Sequence, residues 1–319
     1  MTFRKGVAAR RARLRAYAHD HARRAKLRVF ESRVWLKAAA PVAHIFGHKP
    51  VLRYVEMHLV DHCNLNCRGC SHYSPLSPQR FADPGQAERD FARLAELFAR
   101  VDVVRLMGGE PLLHPHLDRF VLAAREHLPA SDVVLVTNGL LLLSQPDSFW
   151  ELLAGQRVRL HLSRYPVDID TARIRSRAAE QGVAIRITGR KNRFTMVPVA
   201  PEGAKDPGAM RRLCGEQLYC PFLRDGAIYP CARLAMSGLL ADRFGTYVPI
   251  TSADRVVLGD ARDGYEVLRL LATGAPWCRF CGSDVAVDFD WAVTHESPDE
   301  WILTDPVCDL GSPASGGNG

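Results

Sequence analysis

The sequence of 319 residues lacks the features that mark a membrane-spanning or secreted protein. No segment has the roughly 20 uninterrupted apolar residues that a membrane-spanning helix needs. The first residues are rich in arginine and contain no apolar run before a cleavage site, so we expect no secretory signal. Serine is scarce there, which makes an organellar transit peptide the less favoured alternative. We therefore expect a cytoplasmic protein, in which clustered cysteines more often bind metal than form disulfides.

Acidic residues are almost missing from the first part of the chain. The whole sequence has a formal net charge of +7, from 42 Lys and Arg against 35 Asp and Glu. Residues 1–50 hold 13 Lys and Arg and only Asp20 and Glu31, a net charge of +11, so the remaining residues carry −4. Glycine and proline are absent from Arg10 to Leu36, which favours a helix. The sequence thus predicts a basic helical arm, which we expect to contact an anionic surface or a partner protein.

A strand-then-helix rhythm occupies residues 51 to about 200. Runs of strand-forming residues predict five strands, near 55–59, 103–107, 133–136, 158–162 and 183–187, and we expect a sixth strand near Phe194 to Val199. Asp83-Pro84 is typical of a helix start, with an N-cap followed by proline at the first helical position. Repeated strand–helix units imply parallel strands joined by right-handed crossovers. The predicted fold class is α/β, as a partial barrel or a doubly wound sheet.

The rhythm ends after Pro201, where turn signals and cysteines become dense. Asp225-Gly226 lies between Phe222-Leu223 and Ile228-Tyr229, and this predicts a β-hairpin because Asp-Gly supplies the positive φ angles of a tight turn. The end of the chain is rich in Gly and Ser, which predicts a disordered tail. We expect four parts: a basic helical arm at 1–50, the α/β domain at 51–205, a small hairpin-and-helix domain at 206–300 and a tail at 301–319.

Three cysteines share one short loop after the first predicted strand. Cys63, Cys67 and Cys70 follow one another at CxxxCxxC spacing. A loop this short can place three thiolates around one inorganic group, and a [4Fe–4S] cluster held in this way exposes one iron. A structural zinc site needs four protein ligands, so the alternative is a zinc ion completed by His62 or His72.

A second motif, Met107-Gly108-Gly109-Glu110-Pro111, follows the next predicted strand. Its two glycines allow the backbone to approach a ligand closely, and the Glu110 carboxylate can accept hydrogen bonds from an ammonium group. Ligands of parallel α/β folds bind at the carboxyl ends of the strands, where both motifs are expected. The pair of motifs therefore favours a shared ligand site over an isolated tight turn.

Together the two motifs resemble those of the radical S-adenosylmethionine (SAM) enzymes, over residues of about 51 to 200. The resemblance implies a partial (β/α)6 barrel in which Cys63, Cys67 and Cys70 hold a [4Fe–4S] cluster whose open iron binds SAM. It also implies an external one-electron donor such as flavodoxin or ferredoxin, and cleavage of SAM to a 5′-deoxyadenosyl radical that abstracts a substrate hydrogen.

The same resemblance assigns further cofactor contacts. The methionine amino group of SAM would be received by Gly108, Gly109, Glu110 and Pro111, and the ribose and carboxylate by Asn138, Ser163 and Arg164. The family commonly has an aromatic residue before the third cysteine, whereas this chain has Gly69. Tyr73 is the residue that we expect to supply aromatic surface near the adenine.

Four more cysteines lie in two segments around the predicted hairpin: Cys214 and Cys231, then Cys278 and Cys281. Four thiolates make a closed tetrahedral site, which suits zinc or an iron–sulfur cluster equally well. Downstream of a radical SAM domain, residues of about 208–285 resemble the twitch domain, the shortened form of the SPASM domain. That resemblance implies an auxiliary [4Fe–4S] cluster on these cysteines, with Cys220 as an alternative ligand.

Three residues are candidates for a catalytic role. Cys220 and Cys308 are spare cysteines, and each is either a buried small apolar residue or the donor that returns a hydrogen atom to a substrate radical in an epimerase. His72 lies in the polar segment after the third cysteine, and it is a candidate base for a hydroxylated substrate. An auxiliary cluster can accept the electron left on a substrate radical, which favours an oxidising reaction.

The leading hypothesis is a radical SAM enzyme that oxidises, dehydrates or epimerises a sugar, aminocyclitol or nucleotide sugar. A ribosomally made peptide is the second candidate substrate, although the basic arm does not resemble the peptide-binding domain of such enzymes. Two other classes are a zinc-stabilised module that binds nucleic acid or a membrane surface through its arm, and a radical enzyme that modifies nucleic acid.

Overall fold

The computed structural model describes residues 47–214 and 220–304. The expectations for the basic arm, for the tail beyond residue 304 and for Cys308 lie outside these residues. Within the two ranges, every helix is too short or too polar to span a bilayer.

The described elements alternate between strands and helices in the first part of the chain. The strands are β1 (Val51–Leu52), β2 (Val55–His58), β3 (Arg100–Val101), β4 (Val103–Met107), β5 (Asp132–Thr137), β6 (Arg159–Leu162), β7 (Ile185–Ile187), β8 (Arg193–Met196), β9 (Phe222–Arg224), β10 (Ala227–Tyr229), β11 (Val256–Val257) and β12 (Val287–Asp290). The α-helices are α1 (Pro84–Leu97), α2 (Leu117–His127), α3 (Asp147–Gly155), α4 (Thr171–Glu180), α5 (Pro207–Leu213), α6 (Ala232–Ala235), α7 (Gly238–Phe244) and α8 (Gly264–Thr273).

The main sheet has eight strands in the order β11-β10-β9-β2-β4-β5-β6-β7. The strands β2, β4, β5, β6 and β7 are parallel to one another, as predicted, and β9 is parallel to β2. The strands β10 and β11 continue the sheet in antiparallel fashion. The fold is therefore α/β with a mostly parallel sheet. The predicted hairpin is confirmed, because Asp225 and Gly226 both have positive φ, 48° and 78°.

The helices form where capping and periodicity agree. The Asp83 side chain caps α1 by accepting hydrogen bonds from the backbone N–H groups of Gly85 and Gln86. The apolar stripe of α1 is buried at Phe91, Leu94 and Leu97. Gly182, with φ of 69°, follows α4 in the left-handed conformation that ends many helices.

The two faces of the sheet differ in chemistry because side chains alternate along each strand. One face packs against the helices in the main hydrophobic core and includes Val55, Met57, Val104, Leu106, Val133, Leu135, Leu160 and Leu162. The alternate positions face away from the helices. They form what we name the polar face, defined by Glu56, His58, Arg105 and His161.

The expected strand near Phe194 to Val199 forms, but it is not a sixth parallel strand of the main sheet. Residues Arg193–Met196 form β8, which pairs antiparallel with β12 in a separate two-stranded sheet. The residues of β8 alternate between exposed and half-buried, whereas a central parallel strand is covered on both faces. In the main sheet, the sixth parallel strand is β9, which pairs with β2 on the side away from β4.

A second hydrophobic core lies around the later cysteines. It contains Cys231, Cys278 and Cys281 together with Tyr73, Phe222, Tyr229, Trp277 and Trp301. The hairpin expected to start a separate domain thus shares its sheet with the first part of the chain. Trp301, at the start of the predicted tail, is 2% exposed.

Candidate functional site

The three-cysteine loop and the glycine motif lie side by side at the carboxyl ends of β2 and β4. The backbone N–H of Gly109 donates to the carbonyl of Val60 at 2.7 Å, and that of Glu110 donates to the carbonyl of His62 at 3.2 Å. A Cβ atom on Gly108 would lie 2.5 Å from the Val60 carbonyl oxygen. Glycine has no Cβ atom, and for this reason the backbones of the two loops can lie in direct contact here.

Cys63, Cys67 and Cys70 are partly exposed, and their thiols influence one another. Burial raises the pKa of Cys63 and of Cys67 to about 12, and hydrogen bonds from the Leu65 backbone and the Trp291 indole partly offset this. Thiolates in such surroundings need a cation close by, and three thiolates on one loop fit three irons of a [4Fe–4S] cluster. The donor set therefore fits the cluster that the sequence implies.

The Glu110 carboxylate is completely buried and receives three protein hydrogen bonds. The donors are the Leu112 N–H at 3.1 Å, the Thr137 hydroxyl at 2.7 Å and the Asn138 N–H at 2.8 Å. Burial raises the pKa of Glu110 to about 7, and these donors lower it in part. These three hydrogen bonds hold the glycine motif against the end of β5. They leave acceptor capacity on the carboxylate, so its contact with an ammonium group stays a prediction.

Asn138 supports the cysteine loop from β5. Its side-chain N–H donates to the Asn64 side chain at 2.7 Å, and the same nitrogen lies 3.8 Å from the Cys63 sulfur. Its side-chain oxygen accepts the Leu140 N–H at 3.0 Å. Ser163 and Arg164 follow β6 beside this point, and the Ser163 N–H donates to the Thr137 carbonyl.

Arg164 carries an unsatisfied donor at this end of the sheet. Its Nε is buried without a hydrogen-bond partner among the described residues. An orphaned buried donor is rare in native proteins and is satisfied by a ligand or water. The contact of Arg164 with the carboxylate of SAM, which the family resemblance implies, stays a prediction.

His72 is bound to a neighbouring histidine. Its Nδ1 lies 3.2 Å from His58 Nε2, and His58 Nδ1 lies 3.2 Å from the Asp61 carboxylate. Burial and then the His58 ring lower the pKa of His72 to about 3, with a partial offset from the Gly108 backbone. Because its ring interacts with His58 on one side and Gly108 on the other, His72 acts as a link between the loops. The prediction that it is a catalytic base is not supported by this geometry.

Tyr73 also differs from the expectation. It is 1% exposed and packs in the second core, in a left-handed conformation with φ of 52°. Burial raises the pKa of its hydroxyl, as do the nearby thiols of Cys231, Cys281 and Cys70. Tyr73 therefore lies between the two cysteine groups and offers no open ring face to an adenine.

Tyr165 is a site residue that sequence reasoning missed. Its ring stacks on Phe194 with centroids 5.6 Å apart and planes 8° from parallel. Burial, followed by the thiols of Cys67, Cys70 and Cys63, raises the pKa of its hydroxyl. The residue follows Arg164 directly after β6, so its place at a strand end was the one signal that could have found it.

The second cysteine group is mostly enclosed. Cys231, Cys278 and Cys281 are buried, and Cys214 lies at the end of α5, which packs against the turn that contains Cys278. Cys220 is partly exposed and directly precedes Pro221, whose carbonyl accepts the Glu56 N–H. Across residues 47–214 and 220–304, no three His, Cys, Asp or Glu side chains have the arrangement that holds a single metal ion.

The polar face carries a partly buried hydrogen-bond network. Arg105 donates to the Tyr54 hydroxyl at 2.7 Å and forms a 3.4 Å contact with the Glu56 carboxylate. On its other side Arg105 Nη2 lies 3.1 Å from His161 Nδ1. The Arg105 Nε and the His161 Nε2 are buried without hydrogen-bond partners in the described part of the chain.

The comparisons with known proteins concern mainly the first half of the chain. A GTP 3′,8-cyclase from Microcystis aeruginosa (strain NIES-843 / IAM M-2473) is 31% identical over 133 residues, which are 37% of this chain and 36% of the relative. GTP 3′,8-cyclase 1 from Mycobacterium tuberculosis (strain ATCC 25618 / H37Rv) is 33% identical over 102 residues, 29% of this chain and 27% of the relative. The chain thus spans about a third of the length of these curated relatives.

Two solved structures illustrate the structural likeness. BtrN in complex with AdoMet and 2-DOIA is 14% identical, with a TM-score of 0.48 over 80% of this chain and 100% of BtrN. SuiB of Streptococcus suis bound to S-adenosylmethionine is 20% identical, with a TM-score of 0.38 over 47% of this chain and 37% of SuiB. Residues 57–196 match the family described as the Radical SAM superfamily. This match contains both motifs of the site, so residues 57–196 of the chain are a radical SAM domain.

Proposed function

We propose that the protein is a radical SAM enzyme in which Cys63, Cys67 and Cys70 hold a [4Fe–4S] cluster whose open iron binds SAM. With an electron from an external donor, this cofactor pair supplies a 5′-deoxyadenosyl radical that takes a hydrogen atom from the substrate. The observation that supports the proposal is the contact between the three-thiol loop and the Gly108-Gly109 backbone at adjacent strand ends.

The residues around the cluster loop have positioning roles in this proposal. Asn138 holds Asn64, and Glu110 holds the turn that follows the glycines. His72 links the segment after Cys70 to the end of β2 through His58. The unsatisfied Arg164 Nε is the donor that we assign to the carboxylate of SAM.

The polar face supports a hydroxylated substrate. A guanidinium has only donors, so His161 Nδ1 must accept from Arg105, and the proton of the neutral ring is then on Nε2. Burial and then the Arg105 charge lower the pKa of His161 to about 4, so this ring is neutral near pH 7. The unpaired His161 Nε2–H and Arg105 Nε–H are therefore two donors suited to the oxygens of a ligand.

We assign to this face a sugar, an aminocyclitol or a nucleotide sugar, which the enzyme oxidises, dehydrates or epimerises. Oxidation of an alcohol carbon would remove a hydrogen atom, which the 5′-deoxyadenosyl radical takes, a proton, and an electron, which the auxiliary cluster proposed below would accept. The acidic residue of the polar face is Glu56, which is 4% exposed and whose carboxylate contacts Arg105.

The second cysteine group is proposed to hold an auxiliary [4Fe–4S] cluster, as in a twitch domain. Three of its cysteines are buried, and the Tyr73 hydroxyl, without a partner among the described residues, lies near Cys231 and Cys281. A hydroxyl in that position fits the sulfur atoms of an anionic cluster, which accept hydrogen bonds. The sheet would then be the partial barrel that the family resemblance implies, closed by this cluster-bearing segment.

Anaerobic reconstitution with iron and sulfide tests the cofactor assignment. We expect two clusters in the wild type, and one in a variant with alanine at Cys63, Cys67 and Cys70. The reduced wild type should release 5′-deoxyadenosine from SAM, measured by mass spectrometry, and the triple variant should not. A colourless protein that binds zinc, or a loaded protein that never cleaves SAM, contradicts the proposal.

Turnover with a substrate panel tests the substrate class. The panel contains sugars, aminocyclitols, nucleotide sugars, GTP and a peptide. His161→Phe should raise the KM of the accepted sugar-type substrate at least tenfold, while the slow SAM cleavage without substrate stays unchanged. The matched control is His127→Phe, because His127 Nε2 is also unpaired but lies at the end of α2. Modification of the peptide alone would overturn the sugar assignment.

A further inference from the structure

The cysteine loop is covered by residues 287–302, which we name the C-terminal strap. The Arg68 N–H donates to the Ala292 carbonyl at 2.9 Å, and the Thr294 N–H donates to the Asn66 carbonyl at 3.0 Å. Beside them, the Trp301 indole N–H donates to the Cys70 carbonyl at 3.0 Å. These residues lie outside the radical SAM domain of 57–196 and yet bind the loop on both sides of Cys67.

One contact of the strap reaches a sulfur atom. The Trp291 indole Nε1 lies 3.1 Å from Cys67 Sγ. The Trp291 backbone N–H donates to the Asn192 carbonyl at 2.7 Å, directly beyond the β8–β12 pairing. The small antiparallel sheet therefore positions this indole against the cysteine.

An aromatic and a charged side chain pack closely against this part of the loop. The Phe289 ring lies 3.1 Å from the point that a Cβ atom on Gly69 would occupy. The same ring is under the Arg68 guanidinium, 5.7 Å from the ring centroid, and Arg68 also contacts the buried Glu300 carboxylate at 3.4 Å. A side chain at position 69 would require the Phe289 ring to shift by a few tenths of an ångström, and the φ of 59° would add backbone strain.

We infer that Trp291 is a positioning residue that raises the reduction potential of the [4Fe–4S] cluster through its N–H···S bond to Cys67. An added electron increases the negative charge on the cysteine sulfurs, so a donor to sulfur stabilises the reduced cluster more than the oxidised one. The inference rests on the cluster assignment in the proposed function and is independent of the substrate.

The test is a redox titration of the reconstituted protein, followed by electron paramagnetic resonance of the signal that responds to SAM. Trp291→Phe should lower the ratio of reduced to oxidised cluster about tenfold at a fixed potential, which is about 59 mV for one electron. The matched control is Trp301→Phe, which removes the same indole N–H from a carbonyl oxygen of the loop instead of from a sulfur. We expect its midpoint potential to lie close to that of the wild type.

An isosteric replacement covers the case in which Trp291→Phe fails to fold or to bind iron. Incorporation of 3-benzothienylalanine at position 291 keeps the bicyclic ring and removes only the N–H, so the same negative shift is expected. A full iron content with an unchanged midpoint potential would overturn the inference and leave the proposed function intact. A wild type without any cluster would contradict the proposed function itself.

Discussion

The Asp61 carboxylate binds the Arg224 guanidinium at two points, with Nη1–Oδ1 at 2.6 Å and Nη2–Oδ2 at 2.7 Å. Asp61 precedes the cysteine loop, and Arg224 ends β9, 163 residues later. The same carboxylate accepts a 3.0 Å hydrogen bond from Arg80 and lies 3.2 Å from His58 Nδ1. This ion pair therefore joins the hairpin of the second core to the base of the first cysteine loop.

Asp61→Asn should destabilise the protein strongly. Asp61 is 4% exposed, and the substitution removes the anion that two arginines and His58 share. Loss of one partner of a buried ion pair costs about 3–5 kcal/mol. We expect a reduction of this order in the free energy of unfolding, measured by urea denaturation, together with reduced iron loading of the first cluster.

Asp225→Asn is the control for this substitution. Asp225 also binds Arg80, at 2.8 Å, but its side chain is 55% exposed. Exposed ion pairs contribute about 0–1 kcal/mol, so the change should be small. Equal losses in the two variants would contradict the role given to burial.

The placement of the site could be predicted because both motifs are local in sequence. Each follows a strand, and parallel strands bring their carboxyl ends to one edge of a sheet. The residues just before Cys63 and the backbone of Gly109 therefore meet as expected, although 47 positions separate His62 from Gly109. The hairpin was also predictable, since Asp225-Gly226 determines its own turn.

The contacts that complete the site depend on long-range pairing that local patterns do not encode. Trp291 reaches Cys67 across 224 residues because β12 pairs with β8, a strand that periodicity assigned to the parallel sheet. His72 is a plausible base by residue type alone. Only the fold shows that its Nδ1 lies 3.2 Å from His58 Nε2. Residue chemistry was predictable here, whereas residue partners were not.

Gly109→Ala should separate the two loops of the site. An added Cβ atom would lie 2.1 Å from the His62 carbonyl oxygen and 2.5 Å from its carbon, so the backbone must move. We expect at least a tenfold loss of SAM affinity and incomplete iron loading, measured by equilibrium binding and iron analysis.

The control is Gly155→Ala at the end of α3, where nothing lies within 4 Å of the added atom. Alanine favours helix over glycine by about 1 kcal/mol, so this variant should be as stable as the wild type or slightly more stable. A Gly109 variant that binds SAM like the Gly155 variant would count against the close contact of the loops.

Asp90 should make stability depend on pH between about 4 and 6. It is 2% exposed and accepts hydrogen bonds from Gln86 Nε2 and the Gly226 N–H. Burial raises the pKa of Asp90 from 3.8 to about 6, and the hydrogen bonds lower it in part. The folded state thus holds this proton more tightly than the unfolded state, and the contribution of Asp90 to stability falls as pH rises through this window.

The variant Asp90→Asn isolates this effect because it does not titrate. The free energy of unfolding of the wild type minus that of the variant should decrease by on the order of 1–3 kcal/mol from pH 4 to pH 7. Urea denaturation at several pH values measures it. A difference that is constant or that increases with pH would show that the folded protein does not raise this pKa.

Glu110→Gln should weaken both the fold and SAM binding at pH 8, above the pKa of about 7 to which burial raises Glu110. Oε1 accepts from Leu112 and Thr137, and Oε2 accepts from the Asn138 N–H. A glutamine must place its amide N–H group against one of these donors, which leaves a buried donor unpaired at a cost of about 1–3 kcal/mol.

The matched control is Glu126→Gln on the exposed side of α2, which should change stability by less than about 0.5 kcal/mol. Thermal denaturation and equilibrium SAM binding are measured for both variants. Because the three donors hold the turn that follows Gly109, lost stability and lost SAM affinity should appear together in Glu110→Gln. Lost affinity at unchanged stability would instead show that the carboxylate binds SAM directly, as the motif alone suggested.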